Sequence, residues 1–306
     1  MRSPSPLDPD PHACGAEAGG PSPVRSRYYL EHAFIVEHGP GTAQVSATGI
    51  LLMPPLGYED TCAYRPLRVL ADALARAGHV VLRLDWPSLG DSAFEGAKVD
   101  LVAQGIATVA STARSLRERG LGRIAGIGVR GGGLLALASR ELDDLVLWGV
   151  PLSGKAYLRE ERAFHQTAAR AYGEVPGDAA PLPEGAVEAG GFIYSPETAA
   201  ALRELSATTL AVEGRLDRVL LIGRDGIAPA ADLLDAFRDS GTAVSISSAP
   251  GLGALLENSY KSELNPAVTD AIRARIRVVP EVAIVLDIIS LVAPRRFVPA
   301  IGRICT

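Results

Sequence analysis

Along this chain, short aliphatic runs alternate with longer stretches in which apolar side chains return every three to four residues. "HAFIVEH" and "AQVSAT" read as an opening hairpin, and "GILLMPP" as a buried strand stopped by Pro54 and Pro55. Residues 62–77, "CAYRPLRVLADALARA", carry helical periodicity and end at Gly78. "HVVLRLDW" predicts the next strand, running into the turn "PSLGDS", and residues 98–119 predict a second helix. "RIAGIGV" reads as a central strand, "GGGLLALASREL" as its helix and "DLVLWGV" as the strand after it. Regular strand–helix alternation of this kind predicts an α/β fold, a mostly parallel sheet flanked by helices. Across residues 151–213 the rhythm breaks into helical stretches around a Pro-, Gly- and Ala-rich loop without a convincing core strand. It resumes with "RVLLIG", "APAADLLDAFRDSG", "AVSISS" and "NPAVTDAIRARIRV", so residues 151–213 read as a helical cap inserted between strands. There is no internal repeat.

Composition narrows the picture. The 306 residues suffice for one large α/β domain with a sizeable core, and a net charge of -5 gives no electrostatic footprint for nucleic acid or an anionic membrane. Cys14, Cys62 and Cys305 have neither disulfide nor metal spacing, which points to a reduced, cytoplasmic setting; no metal and no cofactor are expected. Residues 1–25 lack the apolar core of a secretory signal, and their Pro/Gly/Ser content predicts a disordered tail. The body then spans 26–278, and 279–306 form a C-terminal extension. Its apolar stretch Val278 to Ala293 is short for a membrane span and carries Glu281 and Asp287, so packing against the body or a second subunit, as in a homodimer, is expected.

The chemistry centres on Gly126-Ile127-Gly128-Val129-Arg130-Gly131-Gly132-Gly133, a strand running through a glycine-rich turn into a helix. The order of elements, together with "PPLGYEDTCAYRPLRVLADALARAGHVVLRLDWPSLGDS", "LVLWGVPLSGKAYLREERA" and "EAGGFIYSPETAAALREL", resembles the α/β-hydrolase superfamily over residues 28–278. Within it, the likeness is to a bacterial subgroup of exosortase-associated and serine-aminopeptidase-like hydrolases that bears arginine in this turn. The resemblance implies a nucleophile elbow G-x-S-x-G at Gly128 to Gly132, with Arg130 where serine would stand. It implies a catalytic acid at Asp225 in "RVLLIGRDG" and a histidine further on. The five histidines, His12, His32, His38, His79 and His165, all precede Asp225, and Tyr260 or Asn258 aligns loosely with the missing position. A guanidinium has no lone pair with which to attack a carbonyl. A degenerate triad and no serine hydrolysis are therefore expected.

Other parts of such a site remain. Backbone N–H groups of Gly131 and of Leu56, beside Gly57, would still form an oxyanion-type pocket at a helix N-terminus. With Arg130 this becomes a seat for a permanent anion; alternatively Arg130 pairs with Asp225 as a structural salt bridge. Glu59 and Asp60 could reach the pocket rim or lie solvated; His165 could hang over the pocket from the cap or sit on an ordinary helix face. Tyr260 is a candidate acid or an ordinary loop tyrosine, and Asp91 a turn cap. Cys62, opening a helix, is either activated by the dipole or buried and inert. Gly126-x-Gly128-x-x-Gly131 also satisfies a dinucleotide fingerprint, but "LVLWGVP" supplies no acid at the end of the next strand. Two functions stay open: an enzyme acting without a covalent intermediate on a small anionic or carbonyl-bearing substrate, such as an isomerase, cyclase, lyase or atypical hydrolase of specialised-metabolite biosynthesis, or a non-catalytic ligand-binding or accessory pseudo-hydrolase.

Overall fold

The computed structural model describes residues 23–41, 46–93, 100–172 and 182–276. Eight strands form one sheet: β1 (Val24–Leu30), β2 (Ala33–Gly39), β3 (Thr48–Met53), β4 (Val80–Leu84), β5 (Arg123–Val129), β6 (Asp144–Trp148), β9 (Arg218–Ile222) and β10 (Ala243–Ser247). Their spatial order is β1-β2-β4-β3-β5-β6-β9-β10. Pairing is parallel from β4 to β10 and antiparallel for β1 with β2 and for β2 with β4. Along β3 the apolar run splits by the period of two: Ile50 and Leu52 face one layer, Leu51 and Met53 the other, all fully buried. A strand so buried needs helices on both faces. Helices α1 (Tyr58–Arg76), α8 (Leu252–Leu256) and α9 (Pro266–Ile276) cover one of them, with Leu67, Leu70, Leu255 and Ile272 packed on the sheet. The other is covered by α2 (Leu101–Glu118), α3 (Gly131–Ser139) and α7 (Ala231–Asp239).

Between β6 and β9 the chain forms α4 (Gly154–Tyr172), a small hairpin of β7 (Val187–Ala189) with β8 (Phe192–Tyr194), α5 (Pro196–Glu204) and α6 (Ala207–Glu213). The hairpin pairs with itself and does not join the main sheet.

The opening hairpin differs from the sequence expectation. β2 pairs with β1 through a turn at Glu31 and His32, so Val24 and Arg25 already belong to the body. The stretch expected to pair with it, "AQVSAT", falls partly outside the described residues, and its Thr48 opens β3 instead. β1 reads weakly because it is an edge strand carrying Arg25 and Arg27. Its anchor is tertiary: Arg25 Nε lies 3.0 Å from Asp72 Oδ1, and Asp72 also accepts from His38 Nδ1 at 2.8 Å. The first helix starts at Tyr58, four residues before the expected boundary. Cys62 therefore sits inside α1, buried, and burial raises its thiol's pKa, against activation by the helix end. Residues 1–22 and 277–306, which include most of the expected tail and all of the C-terminal extension, lie outside the described residues. Among the described residues no helix is long and apolar enough to cross a membrane.

Candidate functional site

The turn between β5 and α3 is built by close approach. A Cβ at Gly128 would lie 2.6 Å from Gly133 Cα, and one at Gly132 would lie 2.1 Å from the Pro54 carbonyl oxygen. Arg130 at the apex adopts φ 51° and ψ -123°, a conformation that L residues avoid at a cost of about 1–3 kcal/mol. Hydrogen bonds hold it there: its N–H donates to Trp148 O at 2.9 Å, and its carbonyl accepts from Gly133 N–H at 3.0 Å.

From this apex the Arg130 side chain runs into the interior and is 4% exposed. Its Nε donates to Glu59 Oε1 at 2.8 Å, its Nη2 to Glu160 Oε2 at 2.7 Å, and its Nη1 to Gly149 O at 3.3 Å. Glu59 comes from the first turn of α1, Glu160 from α4. Arg224, just past β9, also ion-pairs with Glu160. Burial opposes charge on Arg130, but Glu59 and Glu160 overcome it, and its pKa is raised. Burial likewise opposes charge on Glu160, yet hydrogen bonds from Arg130 and Arg224 hold its carboxyl below the usual range. Glu59 goes the other way: burial pushes it up more than Arg130 pulls it down.

Beside this group lies Glu161, 3% exposed. Burial first, then the charge of Glu59, pushes its pKa up to about 8. Among the described residues, Glu161 Oε2 and Glu59 Oε2 are both buried and have no hydrogen-bond partner. With Glu161 protonated at neutral pH, the guanidinium groups of Arg130 and Arg224 face the carboxyl groups of Glu59 and Glu160.

Some of the residues expected from sequence converge here. Leu56, Gly57, Glu59, Arg130 and Gly131 are brought together: a Cβ on Gly131 would lie 3.1 Å from both Leu56 and Tyr157, and one on Gly57 would lie 2.6 Å from the Tyr194 hydroxyl. Tyr157, from α4, donates to Leu56 O at 3.2 Å and lies 3.4 Å from Tyr194 O–H. A buried tyrosine of the insertion thus packs over Gly131 and Leu56, where an oxyanion pocket was expected. Burial raises the pKa of both phenols, keeping them as donors.

Others do not join. Asp225 is exposed and accepts three backbone N–H groups, from Gly251, Leu252 and Gly253. Those bonds hold its pKa below the ordinary value. The alternative in which Arg130 pairs with Asp225 is corrected: Arg130's carboxylates are Glu59 and Glu160, and Arg224, not Asp225, reaches the cluster. Tyr260 is 89% exposed in the loop after α8, with its backbone N–H bonded to Asn258 Oδ1, and it does not enter the site. His165 lies half-buried on α4, one turn beyond Glu161. Asp60, beside Glu59, is pushed up to about 7 by burial and by Asp85. The G-x-G-x-x-G match lies in this packed turn: the Cβ space at Gly126 and Gly128 is taken by Leu142 and Gly133.

Sequence reading missed Tyr157, Glu160, Glu161, Tyr194 and Arg224. A usable signal existed for one: Glu161 follows buried Tyr157 and Leu158 by four and three residues, a carboxyl on an apolar helical stripe. Next to the cluster, at the ends of β6 and β9, is a cavity of about 260 Å³ lined by Val150, Leu152, Glu160, Arg224, Ile227 and Leu233 among others.

No protein-family model and no curated protein matches this sequence. Solved structures do. Est1E from Butyrivibrio proteoclasticus, with ferulic acid bound, superposes with a TM-score of 0.55 at 14% identity over 82% of this chain and 97% of that one. DcsB, in complex with its substrate analogue, gives 0.53 at 16% identity over 84% and 99%. Proline iminopeptidase from Mycobacterium smegmatis gives 0.53 at 15% identity over 82% and 97%. With the mostly parallel eight-stranded sheet between helices, these similarities establish that the chain has the α/β-hydrolase fold.

Proposed function

We propose that this protein is an α/β-hydrolase-fold enzyme that works by general acid–base chemistry without an acyl-enzyme intermediate, on a small carbonyl-bearing substrate held in the cavity beside the elbow. One observation carries the reading: two buried carboxyl groups, Glu59 and Glu161, each with an unpartnered oxygen and raised proton affinity, stand beside a guanidinium at the position the fold reserves for a nucleophile. Buried acids without partners cost stability, and groups of this kind concentrate at sites that handle protons. Arg224, held by the Glu160 carboxylate, lines the cavity and would donate to the carbonyl oxygen, while Glu161, next to Glu160 in the chain but outside the cavity lining, would be the proton reserve near neutral pH. Proton transfer next to a carbonyl fits isomerisation, cyclisation or elimination better than acyl transfer. The expected preference for an anion at Arg130 is given up, because Glu59 and Glu160 already neutralise it.

A second reading, a non-catalytic binder, is favoured by the closure of Arg130 between two carboxylates and a carbonyl. One experiment separates the two. Pools of small keto acids and 1,3-dicarbonyl compounds are incubated in heavy water, and proton NMR follows exchange or conversion at the carbon next to the carbonyl. The enzyme reading expects at least one compound to exchange, with a rate that falls by a factor of about 100 or more in Glu161→Gln. No acceleration in any pool, or equal rates in the variant, favours the binder. Stoichiometric labelling of the cleft by a fluorophosphonate rejects both.

A further inference from the structure

The flank of α4 turned away from Arg130 carries a different kind of site. Lys155, Arg159 and Arg162 stand at i, i+4 and i+7 on α4, so they share one side of the helix. Arg203 of α5 joins them around a groove of about 340 Å³, with buried Leu158 as part of its floor. Among the described residues that line it, the groove has four cations and no acid. Elsewhere the chain, with its net charge of -5, spends arginines against carboxylates: Arg123 and Arg218 on Asp144, Arg119 on Glu37, Arg117 on Asp143. Among the described residues, none of these four cations has a carboxylate partner. Glu160, adjacent to Arg159 in the chain, is turned the other way, onto Arg130 and Arg224.

Arg159 also lines the apolar cavity beside the elbow. One arginine therefore forms the ridge between a cationic groove and a cavity walled by Val150, Leu152, Ile227 and Leu233. We infer that the groove is a phosphate-binding subsite, and that the ligand is an amphiphile whose phosphate sits among Lys155, Arg159, Arg162 and Arg203 while its apolar part enters the cavity. Phosphate suits the site because its charge of about -2 and three acceptor oxygens match several guanidinium forks, where one carboxylate would leave cations unmatched. Leu152 and Ile227, 40% and 62% exposed, are large apolar side chains at the cavity that such a tail would cover.

This inference shares with the proposed function only the cavity as the ligand's place, and its test reads binding rather than turnover, so either can fail alone. Hexyl phosphate, hexanol and inorganic phosphate are titrated into the full chain by calorimetry at low ionic strength, alongside the double variant R162Q/R203Q. Neither residue contributes to the acid cluster, and both side chains are solvent-accessible, so the variant keeps its melting temperature. The expected result is one hexyl phosphate bound per chain, at least tenfold tighter than hexanol or inorganic phosphate, weakening with added salt and losing at least tenfold in affinity in the double variant. Equal affinity of hexyl phosphate for wild type and variant overturns the subsite, as does hexanol binding as tightly as hexyl phosphate. Inorganic phosphate binding as tightly as hexyl phosphate overturns the spanning ligand.

Discussion

Replacing Arg130 separates what the apex does for stability from what it does for chemistry. Arg130→Ser puts a hydroxyl at the apex, yet it leaves Glu59 without its cation, and Glu160 with Arg224 alone. Breaking a buried ion pair from one side costs about 3–5 kcal/mol. The variant is expected to lose that much in urea denaturation and to remain unreactive to fluorophosphonate, because among the described residues no hydrogen bond joins a histidine to Arg130 or its partners. Rapid labelling would show that a base is present after all. Glu161 gives a pH signature. Folded, its carboxyl holds a proton up to about 8; unfolded, it releases it near its ordinary 4.5. Between those values the unfolded state binds fewer protons, so this residue lowers stability as pH rises from about 5 to 8. Glu161→Gln should flatten that slope and exceed the wild type by on the order of 2 kcal/mol at about pH 9. A pH–stability curve parallel to that of the wild type would refute the raised proton affinity. At this scale the sequence showed Arg130, Glu59, Leu56 and Gly131, because a strand–glycine–helix pattern locates a turn. Glu160, Arg224 and Tyr194 were not visible, since their meeting depends on how the insertion folds back, which local periodicity does not encode.

The strand–turn–helix unit of β5 and α3 depends on absent side chains. A methyl at Gly132 would meet the Pro54 carbonyl at 2.1 Å, backbone against backbone, with nothing free to move aside. Gly132→Ala should cost more than about 4 kcal/mol or prevent folding, because a clash of backbone with backbone cannot be relieved by a side-chain rotation. Gly122→Ala is the control: nothing lies within 4 Å of its Cβ position, and the change should stay within about 0.5 kcal/mol. Comparable losses in the two, read from chemical denaturation, would mean that the turn is looser than its contacts imply. The same unit explains which elements were legible. β3, β5, β6 and β9 are continuous apolar runs bounded by turn residues, and their register follows once both faces are buried. β1 and the first turn of α1 were not, because an edge strand with alternating charges and a helix opening on Tyr58-Glu59-Asp60 look polar until their partners are known.

Over the whole molecule, polar contacts of the insertion with the sheet's loops are partly buried. Glu160 takes both Arg130 and Arg224, and Tyr157 reaches Leu56. The sheet, by contrast, is held by two apolar layers in which Trp86 and Trp148 are fully buried. Removing Glu160's charge should therefore loosen α4 before the sheet. In Glu160→Gln the opening free energy of the insertion should fall by about 3 kcal/mol. That is roughly a hundredfold more open chain. Trypsin offers a direct reading, because Lys155, Arg159 and Arg162 lie along α4. In the variant, cleavage at these three sites should accelerate by about that factor at denaturant concentrations where tryptophan fluorescence is still native. If cleavage instead rises only where the fluorescence changes, insertion and sheet unfold as one unit, and apolar packing such as that of Leu158 and Leu202, not the ion cluster, couples them.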